Sequence, residues 1–219
     1  MTLGIPSHSS AVPAPVAPQA GALRVSPCFT PGSLIATHRG EVPVQHLAVG
    51  DRVITRDNGV QVVRWVGKTQ MQIQDFQAAP HLLPVFLRQG SLGRGLPERD
   101  MMVSPNHRIL VTNARTPLHF AEREVLVAAK HLTATGVHTV QSSGTTYIHF
   151  MCDRHEVVLA DGIWTESFHP DDQSLKSIGN AQRLELYEIF PDLKTEAGRA
   201  AFGPARHLAT PQEARSISV

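Results

Sequence analysis

Cys28-Phe29-Thr30-Pro31-Gly32-Ser33-Leu34-Ile35-Ala36-Thr37 is the stretch at which the chain changes character. Upstream, Pro13-Ala14-Pro15-Val16-Ala17-Pro18 has no apolar period and too little apolar surface to offset its ordering entropy, so residues 1–26 read as a flexible leader. Downstream, short β-prone runs alternate with Gly, Asn and Asp, the texture of strands joined by tight turns. One of only two cysteines stands at that border. A thiolate there can attack the carbonyl of the preceding peptide bond and turn an amide into a thioester.

Strand-like runs follow at Ser33 to Thr37, Val42 to Leu47, Asp51 to Arg56 and Val60 to Val66. Asp57-Asn58-Gly59 reads as a tight hairpin turn in which Asn-Gly supplies positive φ. From Lys68 to Arg99, Gly90, Gly93, Gly95, Pro80, Pro84 and Pro97 break the pattern, and this stretch reads as a loop-rich insertion. Strand texture resumes at Met101 and runs in pieces to Thr165, with Asp161-Gly162 as the last hairpin turn. Trp65, Trp164 and Phe168 are expected in the core, and Asp153-Arg154 at a surface turn. About ten short strands in all predict a mainly β fold. Beyond Pro170 the composition shifts: Ala181 to Phe190 predicts a helix with Leu184 and Tyr187 on one stripe, and a second short helix is expected near Gln212 to Ser216.

Twenty basic and nineteen acidic residues leave a net charge of +1 with no basic run, so nucleic acid is not an expected partner. No apolar stretch approaches a membrane span and the N-terminus lacks signal-peptide architecture, so the chain reads as soluble, its compartment open. With two cysteines in 219 residues, a disulfide framework is not expected.

The separated motifs, taken together, resemble a known family. Cys28-Phe29-Thr30-Pro31-Gly32 and Val49-Gly50-Asp51-Arg52-Val53 resemble the opening of Hint domains, the self-processing modules of hedgehog proteins, inteins and bacterial intein-like proteins. Val103-Ser104-Pro105-Asn106-His107 resembles the family's Thr-x-x-His block, with Ser in first place. His155-Glu156-Val157-Val158-Leu159-Ala160-Asp161-Gly162-Ile163 resembles its late hairpin. The resemblance implies a pseudo-twofold β-horseshoe over residues 27–170 with a short helical C-terminal appendage, 171–219. It implies an N-to-S acyl shift: the Cys28 thiolate adds to the Pro27 carbonyl, Ser104 donates a hydrogen bond near the scissile bond, and His107 protonates the departing nitrogen. His155 either begins a strand or assists the resolving step. The substrate is the chain's own upstream segment, the thioester is resolved by water or a small nucleophile, and no cofactor is implied.

The departures from the family pattern narrow this further. Ile163-Trp164-Thr165-Glu166-Ser167 lacks the His-Asn ending that splicing inteins cyclise, so N-terminal cleavage is expected and splicing is not. Gly67-Lys68 stands where hedgehog proteins carry the Asp that activates a sterol, leaving Asp100 as the nearest acid to the Ser104 block. Pro27 crowds its own carbonyl against attack. Two alternatives stay open: a degenerate Hint domain serving as a binding or structural module, and a zinc site at His149-x-x-Cys152-x-x-His155, which strand geometry opposes by turning Cys152 away from the two histidines.

Overall fold

A computed structural model describes residues 26–112, 116–120 and 122–217; the expected leader, up to residue 25, lies outside them. Fourteen strands are described: β1 (Leu34–Thr37), β2 (Gly40–Pro43), β3 (Arg52–Ile54), β4 (Val60–Val62), β5 (Trp65–Gln72), β6 (Val85–Leu87), β7 (Met101–Val103), β8 (Arg108–Val111), β9 (Val125–Ala128), β10 (Val137–Thr139), β11 (Gly144–Met151), β12 (Val157–Ala160), β13 (Ile163–Glu166) and β14 (His207–Leu208). The fold is mainly β, with short helices. Nine strands form one sheet in the order β14-β9-β8-β13-β12-β1-β3-β4, with β2 on β1; β10-β6-β7 form a second, and β11-β5 a two-stranded ribbon.

The stretch around Cys28 ties these pieces together. Phe29 bridges Val103 on β7 and Ile148 on β11. Its N–H donates to the Ile148 carbonyl at 2.8 Å, and Ile148 N–H returns a bond at 2.9 Å. Alternation along β11 then divides its side chains. Ile148 and Phe150 enter the main core, Tyr147 joins a cluster with Cys28, Met71 and Leu82, and Met151 packs with Trp65 and Phe168. His149 lies on the same face as Tyr147 and Met151, between the last two groups.

The two expected turns work differently. Asp161 (φ 48°) and Gly162 (φ 78°) form a two-residue hairpin joining Ala160 to Ile163, and two positive φ values match the right-handed twist of the flanking strands. Around Asn58-Gly59, however, the loop spans residues 55–59, with Ile54 opposite Val60. Only Gly59 takes positive φ (64°), while Asn58 sends its side-chain amide to both oxygens of Glu156. The side chain, rather than an αL backbone, is what Asn58 contributes.

Residues 68–99 hold more structure than a loop-rich insertion. β5 continues to Gln72 in full register with β11, the helix α1 (Ile73–Ala78) follows, and β6 forms between the breakers. The polar run Lys68-Thr69-Gln70 masked that strand because one side of the ribbon is partly exposed. The other helices are α2 (Thr116–His119), α3 (Asp172–Ser177), α4 (Asn180–Ile189), α5 (Glu196–Ala201) and α6 (Pro211–Ser216). α4 and α6 match the two expected from sequence, and α6 starts on a Thr210–Glu213 capping box. The face of α4 is corrected: Leu184 is 62% exposed, while Leu186 is fully buried against Trp65, Met151 and Phe168. Burying that one leucine stabilises by about 2 kcal/mol. The C-terminal segment also adds β14 in parallel to β9. Trp65 and Phe168 are in the core as expected, but Trp164 is half-buried, with the Arg56 guanidinium 5.2 Å over its ring. Asp153 is exposed and pairs with Arg64, not Arg154.

Candidate active site

Cys28 is held between the end of β7 and the middle of β11. Its backbone N–H donates to Ser104 Oγ at 2.9 Å, and its carbonyl accepts from Ser104 N–H at 2.9 Å. The Ser104 hydroxyl donates in turn to the Ser26 carbonyl at 3.0 Å. One hydroxyl thus grips the chain on both sides of Pro27, the residue whose carbonyl precedes the thiol. Ser104 can do this because His107 N–H closes a turn onto the Ser104 carbonyl, fixing the Ser-Pro-Asn-His corner after β7.

The thiol lies beside the Ser26 carbonyl at 3.1 Å, His149 Nδ1 at 3.2 Å and Ser26 Oγ at 3.5 Å, and the Ser26 and Ser104 hydroxyls both favour its thiolate against burial. His149 is thus the thiol's imidazole neighbour, a role the linear sequence did not assign to it. Its ring is stacked on Trp65 at 4.9 Å and faces Phe168 at 5.1 Å. Gly67, directly opposite on β5, makes room for it: a Cβ there would fall inside the imidazole and the Trp65 ring. Gln182 of α4 fixes its own amide nitrogen on the Lys68 carbonyl at 2.7 Å and favours the protonated form of His149 through its remaining oxygen.

His107 is buried beside Phe29, with ring centroids 4.4 Å apart. Thr165 donates its single hydroxyl proton to the Arg108 carbonyl at 2.7 Å, so in its contact with His107 Nε2 the imidazole must be the donor. Nδ1 is left as a bare, buried lone pair without a partner. Burial governs the charge of all three groups. It pushes the Cys28 thiol up to about 12 and brings His107 down to about 4 and His149 down to about 3. The resting site is neutral: a thiol and two uncharged imidazoles.

The structure brings Cys28, Ser104 and His107 to one corner and places His155 elsewhere. His155 Nε2 lies 3.3 Å from the fully buried Glu166 carboxylate, its Nδ1 accepts from Ala205 N–H at 3.0 Å, and its ring stacks on His169 at 4.7 Å. Burial opposes the Glu166 charge, but Arg108, at 3.0 Å, and His155 hold its carboxyl below the usual range. The zinc alternative is therefore divided among three surroundings: His149 at the thiol, Cys152 in the main core, His155 on Glu166. Among the described residues, no group of three His, Cys, Asp or Glu side chains is placed to hold a metal. Asp100 accepts from Gln89 N–H on the surface, and both cysteines are free. A cleft of about 380 Å³ opens at Ser26, lined by Asn106, Arg108, Lys130, His131 and Asp171 among others.

A mainly β fold with a buried cysteine, gripped through one hydroxyl on both sides of the residue before it, matches a self-processing class of domain. The sequence profile of the Hint domain matches residues 27–172, about two thirds of the chain, and the chain belongs to that family. Its fold is the Hint-type β-horseshoe with helices at the C-terminal side. Among solved structures it is similar to an Ssp DnaB mini-intein variant (14% identity, TM-score 0.44, covering 67% of this chain and 97% of that one). It is also similar to a DnaB intein from Synechocystis (13%, 0.39, 65% and 99%) and to a bacterial intein-like domain from Clostridium thermocellum (14%, 0.40, 64% and 97%). No curated protein matches. No helix among the described residues is long and apolar enough to cross a membrane.

Proposed function

We propose that this Hint domain cleaves itself once, before Cys28, by an N-to-S acyl shift, and does not splice. The Cys28 thiol proton passes to His149 Nδ1, 3.2 Å away, and Sγ adds to the Pro27 carbonyl carbon. As the C–N bond breaks, the nitrogen needs a proton. Ser104 already bonds that nitrogen, and His107, by the family pattern, supplies the proton from Nδ1 after taking one from solvent, while His149 returns the thiol proton to solvent, so the site's proton count is unchanged. Protonating His107 at pH 7 costs roughly 4 kcal/mol given its burial. Water or a thiol then resolves the thioester, releasing the upstream segment. Glu166-Ser167 in place of His-Asn leaves no asparagine to cyclise, so the reaction stops at N-terminal cleavage.

The observation that carries this reading is the Ser104 clamp, one hydroxyl bonded on both sides of Pro27 with the thiol and an imidazole beside it. A second reading, a domain that has lost cleavage and serves as a binding or structural module, draws support from Pro27 and from the neutral, buried resting site. A folded tag placed ahead of Met1 separates the two. On adding dithiothreitol, the self-processing reading expects tag release from the native chain or from Pro27→Gly and none from Cys28→Ala. An intact tag in all three supports the inert module.

A further inference from the structure

Resting on the cleavage reading above, we propose that the Ser26 hydroxyl, on the segment that leaves, is a positioning group for the thiol, so that the site selects a hydroxyl residue two places before its nucleophile. Ser26 is 4% exposed although it sits at the edge of the described chain. Both of its polar groups point into the site. Its carbonyl accepts from Ser104 Oγ at 3.0 Å and from the Cys28 thiol at 3.1 Å; its Oγ lies 3.4 Å from His149 Nδ1 and 3.5 Å from Cys28 Sγ. A residue held only by its backbone would leave its side chain to the adjoining cleft.

The proton inventory gives this hydroxyl two successive roles. With the ring proton of neutral His149 on Nε2, the thiol proton points to the Ser26 carbonyl at rest and the Ser26 hydroxyl donates to the Nδ1 lone pair. When the thiol proton moves to Nδ1, that acceptor is lost and a thiolate appears beside the same hydroxyl. The Ser26 O–H then turns to Sγ, and no proton is gained or lost by the group as a whole. A hydrogen bond to a charged sulfur is stronger than one to a neutral thiol, so it favours the reactive form. After cleavage this hydroxyl departs with the fragment, which makes the activation a property of the uncleaved junction.

The test reads the thiol directly and does not require cleavage. Full-length chains are treated with iodoacetamide between pH 7 and 9.5, and alkylation of the Cys28 peptide is followed by mass spectrometry. Ser26→Ala is expected to slow alkylation about tenfold at every pH, and Ser26→Thr to restore it to within about threefold. Simple loosening of the site would speed alkylation instead, by opening access to a buried thiol. Native or faster alkylation in Ser26→Ala, or no recovery in Ser26→Thr, overturns the proposal. Tag release by dithiothreitol is measured on the same chains carrying Pro27→Gly. Slowed alkylation with no release from any chain upholds the Ser26 role and defeats the cleavage reading; release unaffected by Ser26→Ala does the reverse.

Discussion

Two buried polar regions lie within one short span of this molecule, and they are built on opposite rules. Around Glu166 stands a buried charge pair with Arg108 at 3.0 Å, flanked at 3.3 Å by His155, which burial keeps neutral and the Ala205 N–H further fixes. Around Cys28 the groups are titratable but neutral; an imidazole nitrogen without a hydrogen bond occurs in both regions, His107 Nδ1 here and His155 Nε2 beside Glu166, so what separates them is the buried charge pair. Pairing anchors the first region to β8 and, through Ala205, to the segment after α5. The second holds neutral groups without a buried counter-charge, which is what a site needs if a proton is to move within it. The difference fits the proposal that the first region holds the structure and the second does the chemistry.

The largest effect is expected where pairing is broken. Glu166→Ala leaves Arg108 without its buried counter-charge and His155 without its carboxylate neighbour and should cost about 4 kcal/mol, read as a lower urea midpoint. An equal loss in Cys28→Ala would erase the distinction between the regions, because removing a neutral thiol strands no charge. Next comes Gly67→Ala, whose Cβ would displace His149 from its place on Trp65. It should cost about 2 kcal/mol and slow iodoacetamide alkylation of Cys28, a combination that Glu166→Ala lacks if the regions are independent.

The smallest effect tests the neutral state. His107 and His149 bind protons in the folded chain only near pH 4 and 3, against an ordinary value of 6.5. Between those limits the unfolded chain holds more protons, so the stability these neutral histidines contribute is complete above pH 6.5 and is lost as pH falls. From pH 6.5 to 5 each should remove about 2 kcal/mol. His149→Phe, which keeps the stack on Trp65 and Phe168, should lose about 2 kcal/mol less over that interval in urea titrations. An unchanged slope would contradict this, since it would mean that His149 binds its proton equally well in the folded and unfolded chains.

Much of this architecture was legible in local sequence, where local physics decides it. Asp161-Gly162 demands positive φ at both positions and obtains it; Ser104-Pro105-Asn106-His107 is a turn whose first residue bonds Cys28. The rest depended on register. His149 is meaningful only because Gly67 stands opposite it and because Phe29 pairs with Ile148, two contacts between residues far apart in sequence. Its one legible signal was the odd position it shares with Tyr147 and Met151 on a strand whose even positions are apolar. Leu184 and Leu186 on α4 are equally apolar, and only packing against Trp65 decides which is inside.

The central claim is that an acyl group moves from the Cys28 nitrogen to its sulfur. Hydroxylamine tests it most directly, since it cleaves thioesters far faster than amides. Added to the tagged native chain and to Pro27→Gly at neutral pH, it should release a fragment ending in a hydroxamic acid on residue 27 and a remainder beginning with a free Cys28 amine, with neither product from Cys28→Ala. Fragments that appear equally in Cys28→Ala, or a chain that stays whole in both parents, would contradict it.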